Sequence, residues 1–198
     1  MRFALVSLLL LPALAGVDAS DWKLLRGDWS SDDGSLACDF DPALYEKYKD
    51  HGPILVREFE QPTADATLRA TFTITQSEQS EKPPRVILTF DGTKGHVMRV
   101  FLFVGSGSDG QMGPTSRAIV WEEGSKKSTP IVPNGKMPRI MTGQQHRIAM
   151  STEGETATIV LDGQTFTATH PAIGRPKTNA KLGFAFGDLT LPEIVAEP

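Results

Sequence analysis

Thr156-Ala-Thr-Ile-Val-Leu-Asp-Gly-Gln-Thr-Phe-Thr-Ala-Thr169 decides the fold class, because Asp162-Gly163 sits between two alternating runs. A type I′ turn needs φ > 0 at both central residues, and Asp-Gly in this setting is the strongest short-range hairpin signal. Fixing that turn fixes the register. Val160 then opposes Thr165, Ile159 opposes Phe166, Thr158 opposes Thr167, and Ala157 opposes Ala168. Opposed residues share a sheet face. Ala157, Ile159, Phe166 and Ala168 therefore make one apolar face, and the threonines make the other. A β protein with one face of this sheet buried is expected.

Working outward, Leu68, Ala70, Phe72 and Ile74 alternate with polar partners from Thr67 to Thr75, the period of a half-buried strand. Arg85 to Phe90 and Val97 to Val104 are dense in branched and aromatic residues around Asp91-Gly92-Thr93-Lys94-Gly95. They read as a hairpin near the centre of a sheet with both faces covered. Ser35–Phe40, Ile54–Glu60, Arg117–Glu122, Gln145–Ser151 and Lys181–Phe186 read as further strands. Asp41 as N-cap and Pro42 at the first position suit one or two helical turns up to Tyr48, placed as an excursion between strands. Gly105 to Ser116, rich in Gly and Ser, reads as a flexible, ligand-facing loop. Gly124 to Thr142 reads as irregular, and Leu189 to Pro198 as a frayed end. Roughly ten strands at sandwich spacing, with almost no helix, predict one all-β domain: an antiparallel β-sandwich of jelly-roll type in two sheets.

The chain opens Met1-Arg2-Phe3 and runs apolar to Ala15, a secretory pattern too short to span a bilayer. Residues 1–19 are expected to be a leader cut after Ala19 (Ala15 is the alternative), leaving an exported domain over 20–198. One cysteine, Cys38, rules out an intrachain disulfide and reads as a small buried hydrophobe on a strand. The core must hold the fold. A net charge of −4 with scattered cations leaves no basic stripe for nucleic acid.

Glycoside hydrolysis needs two carboxyl groups flanking the scissile bond. Glu58 and Glu60, two apart on a strand, share a face, and Glu122-Glu123 closes another strand. Glu122 and Glu58 are the catalytic candidates, although a solvated strand edge explains Glu58 and Glu60 as well. Trp121 beside Glu122 would stack on sugar C–H groups while the carboxylate takes hydroxyl hydrogen bonds. The competing expectation, and the stronger one, is that Trp121 fills the core with Ile119 on the same face. Arg99 interrupts an apolar strand, so it must be paired or line a cleft. His96 opens that strand beside the Asp91-Gly92 turn, at a rim. Trp121, Arg99 and His96 are thus the ligand-binding candidates. His51, His96, His146 and His170 lack ligand spacing, so no zinc site is expected. Asp32, Asp33, Asp39 and Asp41 offer oxygens around one turn, but no loop motif supplies the roughly six to eight that Ca²⁺ takes. No cofactor is predicted. No Gly-x-Ser-x-Gly elbow, P-loop or dinucleotide fingerprint occurs.

Trp22, Gly27-Asp28-Trp29 and Asp33-Gly34-Ser35-Leu36 at one end resemble the opening of 3-keto-disaccharide hydrolase-type domains, a group of concanavalin A-like, laminin-G-like jelly rolls. Gln145-His146-Arg147-Ile148, Val160-Leu161-Asp162-Gly163 and Lys181-Leu182-Gly183-Phe184 resemble their closing strands. Many such domains carry Asn-Ser-Gly before a central strand, where this chain has Arg85-Val86-Ile87-Leu88, so no catalytic residue transfers. The resemblance implies two curved sheets, a glycan or small saccharide as partner, and glycoside-type hydrolase activity. A non-catalytic glycan- or protein-binding module on the same scaffold is the alternative.

Overall fold

The computed structural model describes residues 21–48, 52–105 and 115–198, which build two seven-stranded antiparallel sheets. With strands numbered in chain order, the first sheet runs β1 (Lys23–Arg26), β4 (Ile54–Thr63), β13 (Lys177–Ala185), β6 (Arg85–Gly92), β7 (Gly95–Phe103), β8 (Arg117–Trp121), β9 (Ser128–Ile131). The second runs β12 (Gln164–Thr169), β11 (Thr156–Leu161), β10 (Gln145–Glu153), β5 (Ala66–Gln76), β14 (Gly187–Glu197), β3 (Ser35–Cys38), β2 (Ser30–Asp32). This is the expected all-β jelly-roll sandwich. The expected leader, His51 and most of the Gly105–Ser116 loop lie outside the described residues.

The β11–β12 hairpin has the register read from its turn, Ala157 opposite Ala168 through Val160 opposite Thr165. Asp162 and Gly163 sit at φ 50 and 82, the left-handed pair a type I′ turn requires. The Asp162 carboxylate has a second job. It accepts from the Arg147 backbone N–H at 2.8 Å and from His146 Nδ1 at 2.7 Å, tying the turn back to β10. One continuous core takes Leu68, Phe72 and Ile74 from the second sheet and Leu88, Phe90, Met98 and Leu182 from the first. Burying each such side chain is worth about 1.5–3 kcal/mol, and no disulfide is required to add to that sum. Cys38 lies in this core, where burial first, and the neighbouring Asp39 charge next, push its thiol up to about 12. It is an inert filler.

The helical turns that Asp41 and Pro42 suit are present as α1, Pro42–Lys47, with Asp41 Oδ1 accepting from the Ala43 N–H at 2.8 Å. Two expectations are corrected. The supposedly irregular Gly124–Thr142 segment contributes β9. The supposedly frayed end is β14, an 11-residue strand held between β5 and β3. The obstacle to reading β14 was Pro192, which has no N–H for a ladder. The structure places it in a register shift between Thr190 and Glu193. Leu189 points inward before the shift, Leu191 within it, and Ile194 after it. Just upstream the chain crosses between sheets at Phe186-Gly187. Any Cβ on Gly187 would lie 2.3 Å from the Thr75 carbonyl oxygen, so only glycine fits.

Leu191→Ala tests whether the last strand is structural. Its side chain is fully buried, so urea unfolding should show a loss of about 2–5 kcal/mol. A loss below about 0.5 kcal/mol, the size of an ordinary surface change, would return the segment to a loose tail.

Candidate functional site

Along β6 the side chains of Val86, Leu88 and Phe90 enter the core, so Arg85, Ile87, Thr89 and Asp91 face outward. The pairing puts Phe101 and Arg99 of β7 beside Ile87 and Thr89, and Gly183 and Lys181 of β13 on their other side. This outer face was expected to be covered. Instead it holds a cleft of about 230 Å³ whose walls include Ile54, Arg85, Ile87, Arg99, Phe101, Lys181 and Gly183. Among the described residues no carboxylate lines it.

One end of the cleft is built by a β-bulge. The β6–β7 register shifts between Phe90 and Asp91, so Phe90 opposes Met98 while Asp91 opposes His96. The extra residue, Val97, faces the core together with Met98. His96 and Arg99, three apart, consequently share the outer face, which strict two-residue alternation forbids. Arg99 Nη2 donates to His96 Nε2 at 2.7 Å, leaving Nδ1 to carry the ring proton and donate to Asp91 Oδ1 at 2.5 Å. Lys181 Nζ holds the other carboxylate oxygen at 2.6 Å. Burial pushes the Asp91 pKa up, but the hydrogen bonds from His96 and Lys181 outweigh it and hold the carboxyl below the usual range. For Arg99 burial dominates and pushes the pKa down, against the opposing pull of Asp91. At the other end, Arg85 Nη2 donates to the Tyr45 hydroxyl at 2.9 Å and its guanidinium lies 5.1 Å from the Phe186 ring centre.

The ligand-binding candidates are therefore gathered, and the catalytic ones are not. Arg99 lines the cleft. Trp121 packs on it, with the guanidinium 5.4 Å from the indole and the His96 ring 5.0 Å away. Trp121 does share a face with Ile119, but it is the outer face beside Arg99 and not the core. The expectation of core packing for Trp121 is corrected. Glu122 lies off the cleft, in a shallow concavity with His170 and Arg175. Glu58 pairs with Lys23 at 2.8 Å, both side chains more than half exposed. Four strand spacings separate β4 from β8, roughly 19 Å. That exceeds the roughly 5–9.5 Å over which two carboxyls cooperate on a glycoside. Asp91, Lys181 and Arg85 had not been singled out. Polar residues at alternate positions of β6 were the available signal, and Asp91 was hidden by its place next to a turn glycine. Among the described residues no group of three or more His, Cys, Asp or Glu side chains is arranged to hold a metal ion.

No protein-family profile and no curated protein matches the sequence. Solved structures do match the fold. A family 7 alginate lyase bound to its substrate GGMG superposes with a TM-score of 0.63 at 12% identity, over 94% of this chain and 97% of that one. The carbohydrate-binding module CBM66 from Bacillus subtilis gives 0.59 at 11% identity, over 90% and 96%. The CBM2 module of the evolved Dit protein of Lactobacillus casei BL23 phage J-1 gives 0.61 at 12%, over 86% and 79%. At these identities the likeness is one of fold: an antiparallel β-sandwich of jelly-roll type.

Asp91→Asn should cost on the order of 2 kcal/mol at pH 7, since it strips a charge from a buried hydrogen-bonded set. Asp91 has a folded pKa below its ordinary 3.8. Its contribution is therefore present above that value and is lost as pH falls through it towards the folded value. Urea titrations should show the gap between the two proteins full at pH 7 and closing below about pH 4. A constant gap would mean that Asp91 acts by packing alone.

Proposed function

We propose that the protein is an exported carbohydrate-active β-sandwich that takes a saccharide in the cleft on the outer face of its first sheet. The cleft itself carries this reading. Ile54, Ile87 and Phe101 supply apolar surface for sugar C–H groups, and Arg85, Arg99 and Lys181 supply hydrogen-bond donors around it. The volume is below the roughly 300 Å³ of drug-sized sites, which suits one ring-sized group at a time. The alginate lyase and the carbohydrate-binding module on the same fold support a glycan as the ligand class.

Of the two readings, a binding module is the better supported. Asp91, the carboxylate nearest the cleft's donors, is held ionised by His96 and Lys181, so it has no proton to give a leaving group. The second reading is a glycoside-type, 3-keto-disaccharide hydrolase-like enzyme. What favours it is the carboxylate-oriented histidine, Asp91–His96, whose Nε2 accepts from Arg99 and would act as a general base once a ligand draws that guanidinium away. Glu58 stands in the same cross-strand row as Asp91 with Asn179 between them, roughly 10 Å away by strand spacing.

Gly183→Leu separates the cleft from other surfaces. A Cβ there would sit 3.3 Å from the Pro53 carbonyl oxygen, so the backbone must give by a few tenths of an ångström, and 3.5 Å from Ile54 Cγ1, and the rest of the side chain would fill the cleft. Thermal shift and calorimetry across a saccharide panel that includes oxidised disaccharides, with product analysis of each hit, should give binding that this variant weakens at least tenfold. Binding unchanged by Gly183→Leu would place the ligand elsewhere. Conversion of a hit to monosaccharides, lost in His96→Gln, would establish the hydrolase over the module.

A further inference from the structure

We propose that the cleft selects an acidic saccharide, with uronate ring carboxylates taken by Arg85 at one end and by Arg99 at the other. The inference rests on the cleft being the saccharide site and adds the class of sugar. Three cations line the cleft, and among the described residues Asp91 is the one carboxylate that pairs with any of them, through Lys181. Neither Arg85 nor Arg99 has a carboxylate within ion-pair distance among the described residues. Arg85 is held by a neutral phenol and an aromatic face, and Arg99 by an imidazole nitrogen and an indole face. The Nε atoms of both arginines are buried without a hydrogen-bond partner. Among the described residues, two guanidinium groups thus line one cleft with no carboxylate in direct contact, Asp91 acting on Arg99 only across His96, in a chain whose net charge is −4.

The geometry is maintained at a cost. Phe186, a bulky residue, sits at φ 68, a conformation disfavoured by sterics. Its ring lies 4.7 Å from the Tyr45 ring and 5.1 Å from the Arg85 guanidinium, so the strained residue braces the arginine that faces the cleft. Arg85 and Arg99 stand on neighbouring strands with Ile87, Phe101 and the side-chain-free Gly183 between and beside them. A sugar ring on that apolar strip brings a ring carboxylate within reach of planar guanidinium forks, the donor geometry that suits it. A carboxylic acid is bound here as its anion, and no covalent step is involved.

The test is calorimetry at low salt with trimers of galacturonic, mannuronic and guluronic acid, their methyl esters, a sulfated neutral trimer, and cellotriose. At least one uronate trimer should bind, with its methyl ester at least tenfold weaker and with affinity falling as salt is raised. Arg85→Met and Arg99→Gln should each weaken that binding tenfold or more, while Arg57→Ala, which removes an exposed pair with Asp21, should leave it unchanged. The ester comparison uses the unaltered protein, so it holds even where an arginine variant folds poorly. Equal binding of acid and ester, preference for the sulfated trimer, or binding of cellotriose alone would overturn the carboxylate assignment and leave the saccharide cleft standing. Silence from every trimer, charged and neutral, would overturn both.

Discussion

Val97 is one residue too many for the β6–β7 hairpin, and the chemistry of the open face follows from how the sheet absorbs it. Without the shift, His96 and Arg99 would point to opposite sides, and one of the two polar side chains would be driven into a core made of Leu88, Phe90 and Met98. An unpaired polar group there costs several kcal/mol. The bulge avoids that cost by letting Val97 and Met98 both face inward. Asp91, displaced to lie opposite His96, can then orient it, and Lys181 from the adjacent strand completes the set. A local irregularity of the backbone thus turns a plain hairpin into a polar cluster with a defined tautomer.

Competing effects then decide what the cluster does. Asp91 is deeply buried, which by itself favours a protonated acid able to give up a proton near neutral pH. Two donors at 2.5 and 2.6 Å overcome that burial and keep the group ionised. The carboxylate thereby serves as a clamp for His96 and Lys181. Arg99 is in the opposite condition. Its partners are a neutral ring nitrogen and an indole face, and cation–π contact is worth only about 0.5–2 kcal/mol. The face is consequently rich in fixed positive charge, and fixed dipoles and charges in a concave site concentrate a field that the chain's overall negative charge does not predict.

Much of the architecture was legible in the sequence because it rests on two-residue periodicity and turn chemistry. Asp162-Gly163 fixed a hairpin residue by residue, and Leu68 to Ile74 announced a core strand. Legibility failed where backbone irregularities break the period. Pro192 hid β14, since a proline inside a run argues against a strand unless a register shift receives it. The bulge at Val97 hid the relation between His96 and Arg99, although each had drawn notice separately as a rim histidine and a charge in an apolar strand. Trp121 could not be placed at all from pattern, because Ile119 shares its face whichever side of the sheet that face is on. The carboxylates Glu58 and Glu122 are conspicuous in sequence. They lie on strands far apart in the sheet order, a relation that depends on β13 and β6 being inserted between β4 and β7 and that no local pattern encodes.

The crossing from the first sheet to the second links the fold to the site. β13 supplies Lys181 and Gly183 to the cleft, and β14 begins at Gly187, directly after Phe186, as an interior strand of the other sheet. Gly187 packs against the Thr75 carbonyl too closely for any side chain, which forces the tight turn and leaves Phe186 in the left-handed region. A strain of order 1–3 kcal/mol persists only where surrounding packing over-determines it. Here Phe40, Tyr45 and Arg85 enclose the Phe186 ring, with α1 supplying the tyrosine. The short helix, which looks incidental in a β protein, is therefore the brace that lets the crossover be tight and keeps Arg85 directed along the cleft wall. The position of a ligand-facing arginine is in this way coupled to the joint between the two sheets.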